Sequence, residues 1–165
     1  VFVFLRCPPP PSFTPFPHLT PFRFDPEGLR RCPRTLDAMG VAGALGVPGS
    51  GLDEVALHGE TRAVRLSEGK LTESEITPED AGLERAPLQV VTGGDVAENA
   101  ARLRALVDSE GSKAEQDMVV LNAAALLQTA GMASDLREGA GLARDALMSG
   151  RAGAVLDAFV EASHG

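Results

Sequence analysis

The sequence predicts an α/β domain, and three observations carry the prediction. An apolar run, Ala42 to Val47, leads into the glycine-rich Gly49-Ser50-Gly51 and then two adjacent acids, Asp53 and Glu54. Two extended stretches, Thr61 to Leu66 and Leu71 to Ile76, flank Ser67-Glu68-Gly69-Lys70, where Gly69 supplies a backbone conformation that other residues resist. From Asp95 onward apolar residues recur at helical spacing behind polar caps, giving four consecutive helices as a cover layer for the sheet.

The first element is a change of composition. Residues 1–34 hold nine of the twelve prolines, six of the seven phenylalanines, both cysteines, and five arginines against Asp25 and Glu27, a formal charge of +3. The rest, from Thr35, carries ten basic and twenty-one acidic residues, a balance of −11. We divide the chain into a Pro/Phe-rich leader, residues 1–23, and an α/β region, residues 24–165. The apolar start, Val1 to Cys7, is far shorter than the roughly 20 residues that span a bilayer, and it lacks the order and cleavage site of a signal peptide. Proline removes the N–H groups a ladder needs, so Pro8 to Pro21 is expected to be extended, polyproline-like or disordered. No surrounding sequence supports a signalling role, which favours an unstructured or out-of-frame leader over a Pro-rich ligand.

Composition excludes several classes. Cys7 and Cys32 lack zinc-site spacing and make no disulfide framework, so a reduced, cytoplasmic protein is the simpler reading. An acidic main body disfavours a nucleic-acid surface, which needs clustered Lys and Arg, and nothing marks a membrane partner.

The remaining elements follow in order. Asp25 can cap a helix with Pro26 in its first position and Leu29, Leu36 and Met39 on its apolar stripe; Gly40 stops it and Pro33 interrupts it. Val41 to Val47 reads as a buried strand, and Val55 to Leu57 as a short extended piece. In the hairpin, Glu73 and Glu75 are expected to face water. Thr77-Pro78-Glu79-Asp80 has the cap, proline and acidic first turn of a short helix. Asp95 with Glu98, and Ser112 with Glu115, are capping pairs; the second precedes Met118 to Ala130, a run expected to be buried on most sides. Ser134 starts a helix through Leu136, Ala140, Ala143 and Leu147, and a final helix carries Val155, Leu156, Phe159 and Val160.

Among chemistry-bearing residues, the Asp53-Glu54 pair stands out. Acids following a strand of an α/β sheet are well placed to hold a cation against a substrate, although an adjacent pair in a loop is ordinarily just solvated. Asn122, in an apolar helix, reads as a hydrogen-bonded core residue, and His58, beside a turn, as structural or exposed. Three scattered histidines, His18, His58 and His164, support no Ser-His-Asp or Cys-His arrangement.

Several blocks together resemble anthranilate phosphoribosyltransferase: Gly51-Leu52-Asp53-Glu54-Val55-Ala56-Leu57-His58-Gly59, Leu71-Thr72-Glu73, Ile76-Thr77-Pro78-Glu79-Asp80-Ala81-Gly82-Leu83, Gly93-Gly94-Asp95 with Glu98-Asn99-Ala100, and Leu121-Asn122-Ala123-Ala124. The resemblance covers about residues 24–163, weakly before Gly49 and strongly after it. It implies the C-terminal portion of a nucleoside phosphorylase/phosphoribosyltransferase-type catalytic domain, a β-hairpin with covering helices. It also implies a glycosyltransferase of tryptophan biosynthesis, which joins phosphoribosyl pyrophosphate to anthranilate and releases pyrophosphate. By position, Asp53 and Glu54 fall on the family's magnesium-binding acids, so Mg2+ is the implied cofactor. Thr92-Gly93-Gly94-Asp95 looks like the family's phosphate loop, yet Glu98-Asn99-Ala100 behind it marks a later block, and Asp95 reads as a helix cap.

The departures set further expectations. The phosphate loop, a Lys-His-Gly block and the anthranilate-contacting residues belong to family segments upstream of this text, and Leu45-Gly46-Val47-Pro48-Gly49 replaces an apolar strand ending in His-Gly. A truncated or out-of-frame gene product, inactive by itself, is the expectation. The family homodimer would have most of its interface missing here, leaving exposed apolar edges and poor solubility. A noncatalytic or complementing partner fragment is the alternative, and a pyrimidine nucleoside phosphorylase relative a distant one.

Overall fold

Four strands and the helices that cover them organise the described residues. The computed structural model describes the main chain of residues 2–6 and, in full, residues 33–47 and 54–164. Strands β1 (Phe2–Arg6), β2 (Gly43–Val47), β3 (Thr61–Ser67) and β4 (Lys70–Ile76) form one sheet in the order β1-β2-β3-β4. Every neighbouring pair is antiparallel: Phe2 lies opposite Val47, Ala44 opposite Leu66, and Leu66 opposite Leu71. The domain is mixed α/β, as the sequence predicts, but its described strands form an antiparallel meander rather than a parallel sheet.

A helix, α1, occupies residues 33–38 and ends in a Schellman motif. Gly40 turns left-handed at φ 80°, its N–H donates to the Asp37 carbonyl, and the Val41 N–H reaches back to the Leu36 carbonyl at 3.0 Å. The accompanying apolar contact is present, since Val41 and Leu36 pack with Ala44, Leu66 and Leu71 on one face of the sheet. This termination delays β2 to Gly43, two residues later than the sequence reading places it. All five β2 residues are buried, as expected of a strand covered on both faces.

The β3–β4 connection is the tight turn expected, with positive φ at both Glu68 (50°) and Gly69 (75°), the signature of a type I′ hairpin. On β4, Thr72 to Glu75 are exposed, Glu73 and Glu75 among them. A 3-10 turn, Pro78–Ala81, follows, with a reciprocal capping box between Thr77 and Asp80. A second 3-10 turn spans Leu88–Val90.

Four helices follow: α2 (Val96–Val107), α3 (Lys113–Thr129), α4 (Leu136–Met148) and α5 (Arg151–Ser163). Asp95 caps α2 by accepting the Glu98 N–H at 2.8 Å, and Ser112 with Glu115 forms a full capping box on α3. The α4 cap falls one residue beyond the expected Ser134. Asp135 accepts the Glu138 N–H, while the Glu138 carboxylate reaches back to the Ser134 N–H and hydroxyl.

Helix α3 lies over β1 and β2 and packs along α4, and the main core joins Leu45, Val47, Val55 and Leu57 to Val120, Leu121, Ala124, Leu136 and Leu147. Val119 and Leu126 of α3 face out at 43% and 45% exposure, so that helix is less enclosed than its composition suggests. Helix α5 is peripheral, with Val155 and Phe159 exposed at 70% and 69%. Among the described residues no helix is long and apolar enough to cross a membrane.

Residues 2–6 depart from the expectation of an unstructured leader, since they form β1 against β2. Val and Phe favour strands, and β2 offers them an open edge of main-chain hydrogen-bonding groups. Pro8 to Pro21, the helix start at Asp25 and both cysteines lie outside the described residues.

Candidate functional site

Two antiparallel neighbours need only a two-residue turn, as β3 and β4 show, yet β2 and β3 are joined by residues 48–60. The acid pair sits in that long connection. Asp53 lies outside the described residues; Glu54 is described and half-buried. Its carboxylate takes no hydrogen bond or ion pair from a described residue.

The chain immediately after Glu54 goes inward. Val55 and Ala56 are fully buried and Leu57 is 1% exposed, although none of the three belongs to a strand. Buried main-chain polar groups need partners, and here distant side chains supply them. The Asn122 side chain accepts the Val55 N–H through Oδ1 at 2.9 Å and donates from Nδ2 to the Val55 carbonyl at 3.0 Å. Nδ2 also donates to the Met118 carbonyl one turn back on α3, which pins the amide. The hydroxyl of buried Thr61 accepts the Ala56 N–H at 2.9 Å, and the Leu57 carbonyl accepts the Ala86 N–H. Asn122 is thus hydrogen-bonded, as its sequence context suggests, but half-buried rather than enclosed in the core. Its partner, 67 positions away, carries no signal in the sequence.

His58 follows, half-buried, with a buried Nδ1 that has no hydrogen-bond partner among the described residues. The glycine-rich Thr92-Gly93-Gly94 segment is a different kind of feature. Asn99 accepts the Gly94 N–H at 2.8 Å and donates to the Gly94 carbonyl at 3.0 Å, and Arg102 donates to the Thr92 carbonyl at 2.6 Å. With Asp95 spent on capping, that loop's polar groups serve the start of α2 rather than an open anion cradle.

Helices α3 and α4, the first of which carries Asn122 toward the connection, are fastened by a buried acid. Asp117, 2% exposed, accepts Lys113 Nζ and Arg144 Nη2, each at 2.7 Å. Desolvation by burial raises its pKa, and the Lys113 and Arg144 hydrogen bonds outweigh it, holding the carboxyl below its ordinary range.

Among the described residues no three His, Cys, Asp or Glu side chains cluster as a metal cage. Glu54, whose carboxylate engages no described residue, is the donor type magnesium takes alongside waters and substrate phosphates.

A family model described as "Glycosyl transferase family, a/b domain" matches residues 24–153. The chain belongs to that family. Within this glycosyl transferase family, it is 49% identical over 140 residues to the anthranilate phosphoribosyltransferase of Sorangium cellulosum, covering 85% of this chain and 40% of that protein. The crystal structure of the Thermus thermophilus anthranilate phosphoribosyltransferase superposes with a TM-score of 0.75 at 40% identity, covering 84% of this chain and 40% of that one. The Saccharomyces cerevisiae anthranilate phosphoribosyltransferase in complex with PRPP and Mg superposes with a TM-score of 0.65 at 25% identity, covering 71% of this chain and 34% of that one. The chain thus spans about 40% of the length of the curated relatives it matches.

Proposed function

We propose that residues 24–165 supply the cation-holding acids and the covering helices of an anthranilate phosphoribosyltransferase catalytic domain. That enzyme transfers phosphoribosyl from phosphoribosyl pyrophosphate to the amino group of anthranilate and releases pyrophosphate. The observation that carries the reading is Glu54: a carboxylate that engages no described residue, on a clamped main chain, within the Gly51 to Gly59 block that resembles the family's acid pair.

Asp53 and Glu54 are the residues that would hold Mg2+. When bound, the ion supplies positive charge to the leaving diphosphate as the bond to ribose C1 breaks. The chain's own contribution is positional. Glu54 offers a charged oxygen that no described residue engages, and the buried Val55 to Leu57 segment keeps it at the edge of a water-excluding core. No covalent enzyme intermediate is needed, because the anthranilate nitrogen is itself the nucleophile. Catalysis of this kind depends on holding two substrates in register, and few described residues of this chain could do so. The isolated chain is therefore expected to be inactive, in a reduced, cytoplasmic setting.

Mixing the purified chain with a separately expressed N-terminal part of a relative, and assaying phosphoribosyl transfer, tests the reading. Activity in the mixture alone supports it. Formation of a stable complex without activity would favour a noncatalytic binding role and overturn it.

A further inference from the structure

Val55 poses a problem that few side chains can solve. Its N–H and C=O are both buried outside any strand, and both must be satisfied from one direction. A carboxylate could accept but not donate, and an apolar side chain could do neither; a carboxamide offers a donor and an acceptor on adjacent atoms, matching the paired N–H and C=O of one residue. Asn122 meets this need, and its second N–H is spent on the Met118 carbonyl, so the amide cannot swing away without leaving a buried group unpaired. The clamp lies one residue beyond Glu54.

We propose that Asn122 is a positioning residue for Glu54, holding the main chain at Val55 so that the adjacent carboxylate is presented to a bound divalent cation. This rests on the metal reading of the acid pair. The role is distinct from packing: α3 is already anchored by Val120, Leu121 and Ala124, all 1% exposed or less, so the amide adds direction to a contact that apolar burial supplies. Groups that orient metal ligands typically change affinity by about 10- to 100-fold when removed.

Mn2+ alone, titrated into the full chain, reports the site through paramagnetic broadening of the amide signals of residues 54–58. In Asn122→Ala the broadening midpoint should rise at least about tenfold, whereas Gly139→Ala, which strains the α3–α4 packing but keeps the amide, should leave it unchanged. Absence of site-selective broadening in the parent chain overturns the metal reading, and this proposal with it. Broadening that Glu54→Gln abolishes but Asn122→Ala leaves at the parent midpoint overturns this proposal alone. Should Asn122→Ala fail to fold, the parent chain decides the matter by amide hydrogen exchange. Coupling is reciprocal, so saturating Mg2+ must slow exchange at Val55 more than at Ala140 in α4, and equal slowing at both sites would refute the coupling.

Discussion

Gly139 of α4 presses directly on the main chain of Ala124 in α3. A methyl group at Gly139 would stand 2.9 Å from the Ala124 carbonyl oxygen and 3.0 Å from its Cα. Both obstacles are backbone, so neither can step aside without separating the helices. Gly139→Ala should therefore destabilise the chain by about 1–3 kcal/mol despite alanine's better helix propensity. Gly141, two residues on, has nothing within 4 Å of its added methyl, and Gly141→Ala should be neutral or stabilising by up to about 1 kcal/mol. Paired urea unfolding curves check the contrast; equal effects would contradict it.

Asp117 gives the fold an acid limit. Its carboxyl is held below the ordinary range by Lys113 and Arg144 against the opposing cost of burial. A depressed folded pKa contributes stability that is present above the unfolded value of about 3.9 and lost as pH falls through the folded one. Lowering the pH from 6 to 3 should reduce the urea midpoint, and Asp117→Asn should flatten part of that fall. Lys113 and Arg144 are 68% and 41% exposed and can return to water, so the substitution should cost about 1–3 kcal/mol at pH 7 rather than the larger penalty of a stranded buried charge.

The hairpin carries a correctable strain. Glu68 sits at φ 50°, a region that asparagine tolerates better, ahead of Gly69 at φ 75°. Glu68→Asn should raise stability by a few tenths to about 1 kcal/mol, and Gly69→Ala should lower it by about 1 kcal/mol, both read from thermal unfolding.

Glu54 should separate binding from stability. Since its carboxylate engages no described residue, Glu54→Gln should shift the unfolding free energy by less than about 0.5 kcal/mol while weakening Mn2+ binding. A large loss of stability would mean that the side chain is structural.

Helix α5 should be the tolerant element. Phe159 is 69% exposed, so Phe159→Lys should leave stability within about 0.5 kcal/mol and reduce concentration-dependent association, measured by light scattering.

Where neighbours within a few residues decide the outcome, the text was enough. The Gly40 stop, the Glu68-Gly69 turn, the Thr77-Asp80 and Ser112-Glu115 boxes and the Asp95 cap all rest on hydrogen bonds or φ angles set within about one turn. Even there, the α4 cap is Asp135 rather than Ser134, because Asp135 accepts the Glu138 N–H while Glu138 bonds back to Ser134. The assignment of Asp53 and Glu54 as a proposed metal pair rests on their company in the sequence, and Asp53 lies outside the described residues.

Tertiary structure decided what sequence distance conceals. It brought Asn122 to Val55 across 67 positions and Arg144 to Asp117 across 27, drew residues 2–6 onto the edge of β2, and left the apolar row of α5 facing solvent. The physical reason is common to all four. A residue's type states which bonds or burial it can offer, whereas the partner that accepts the offer is chosen only when the chain closes on itself.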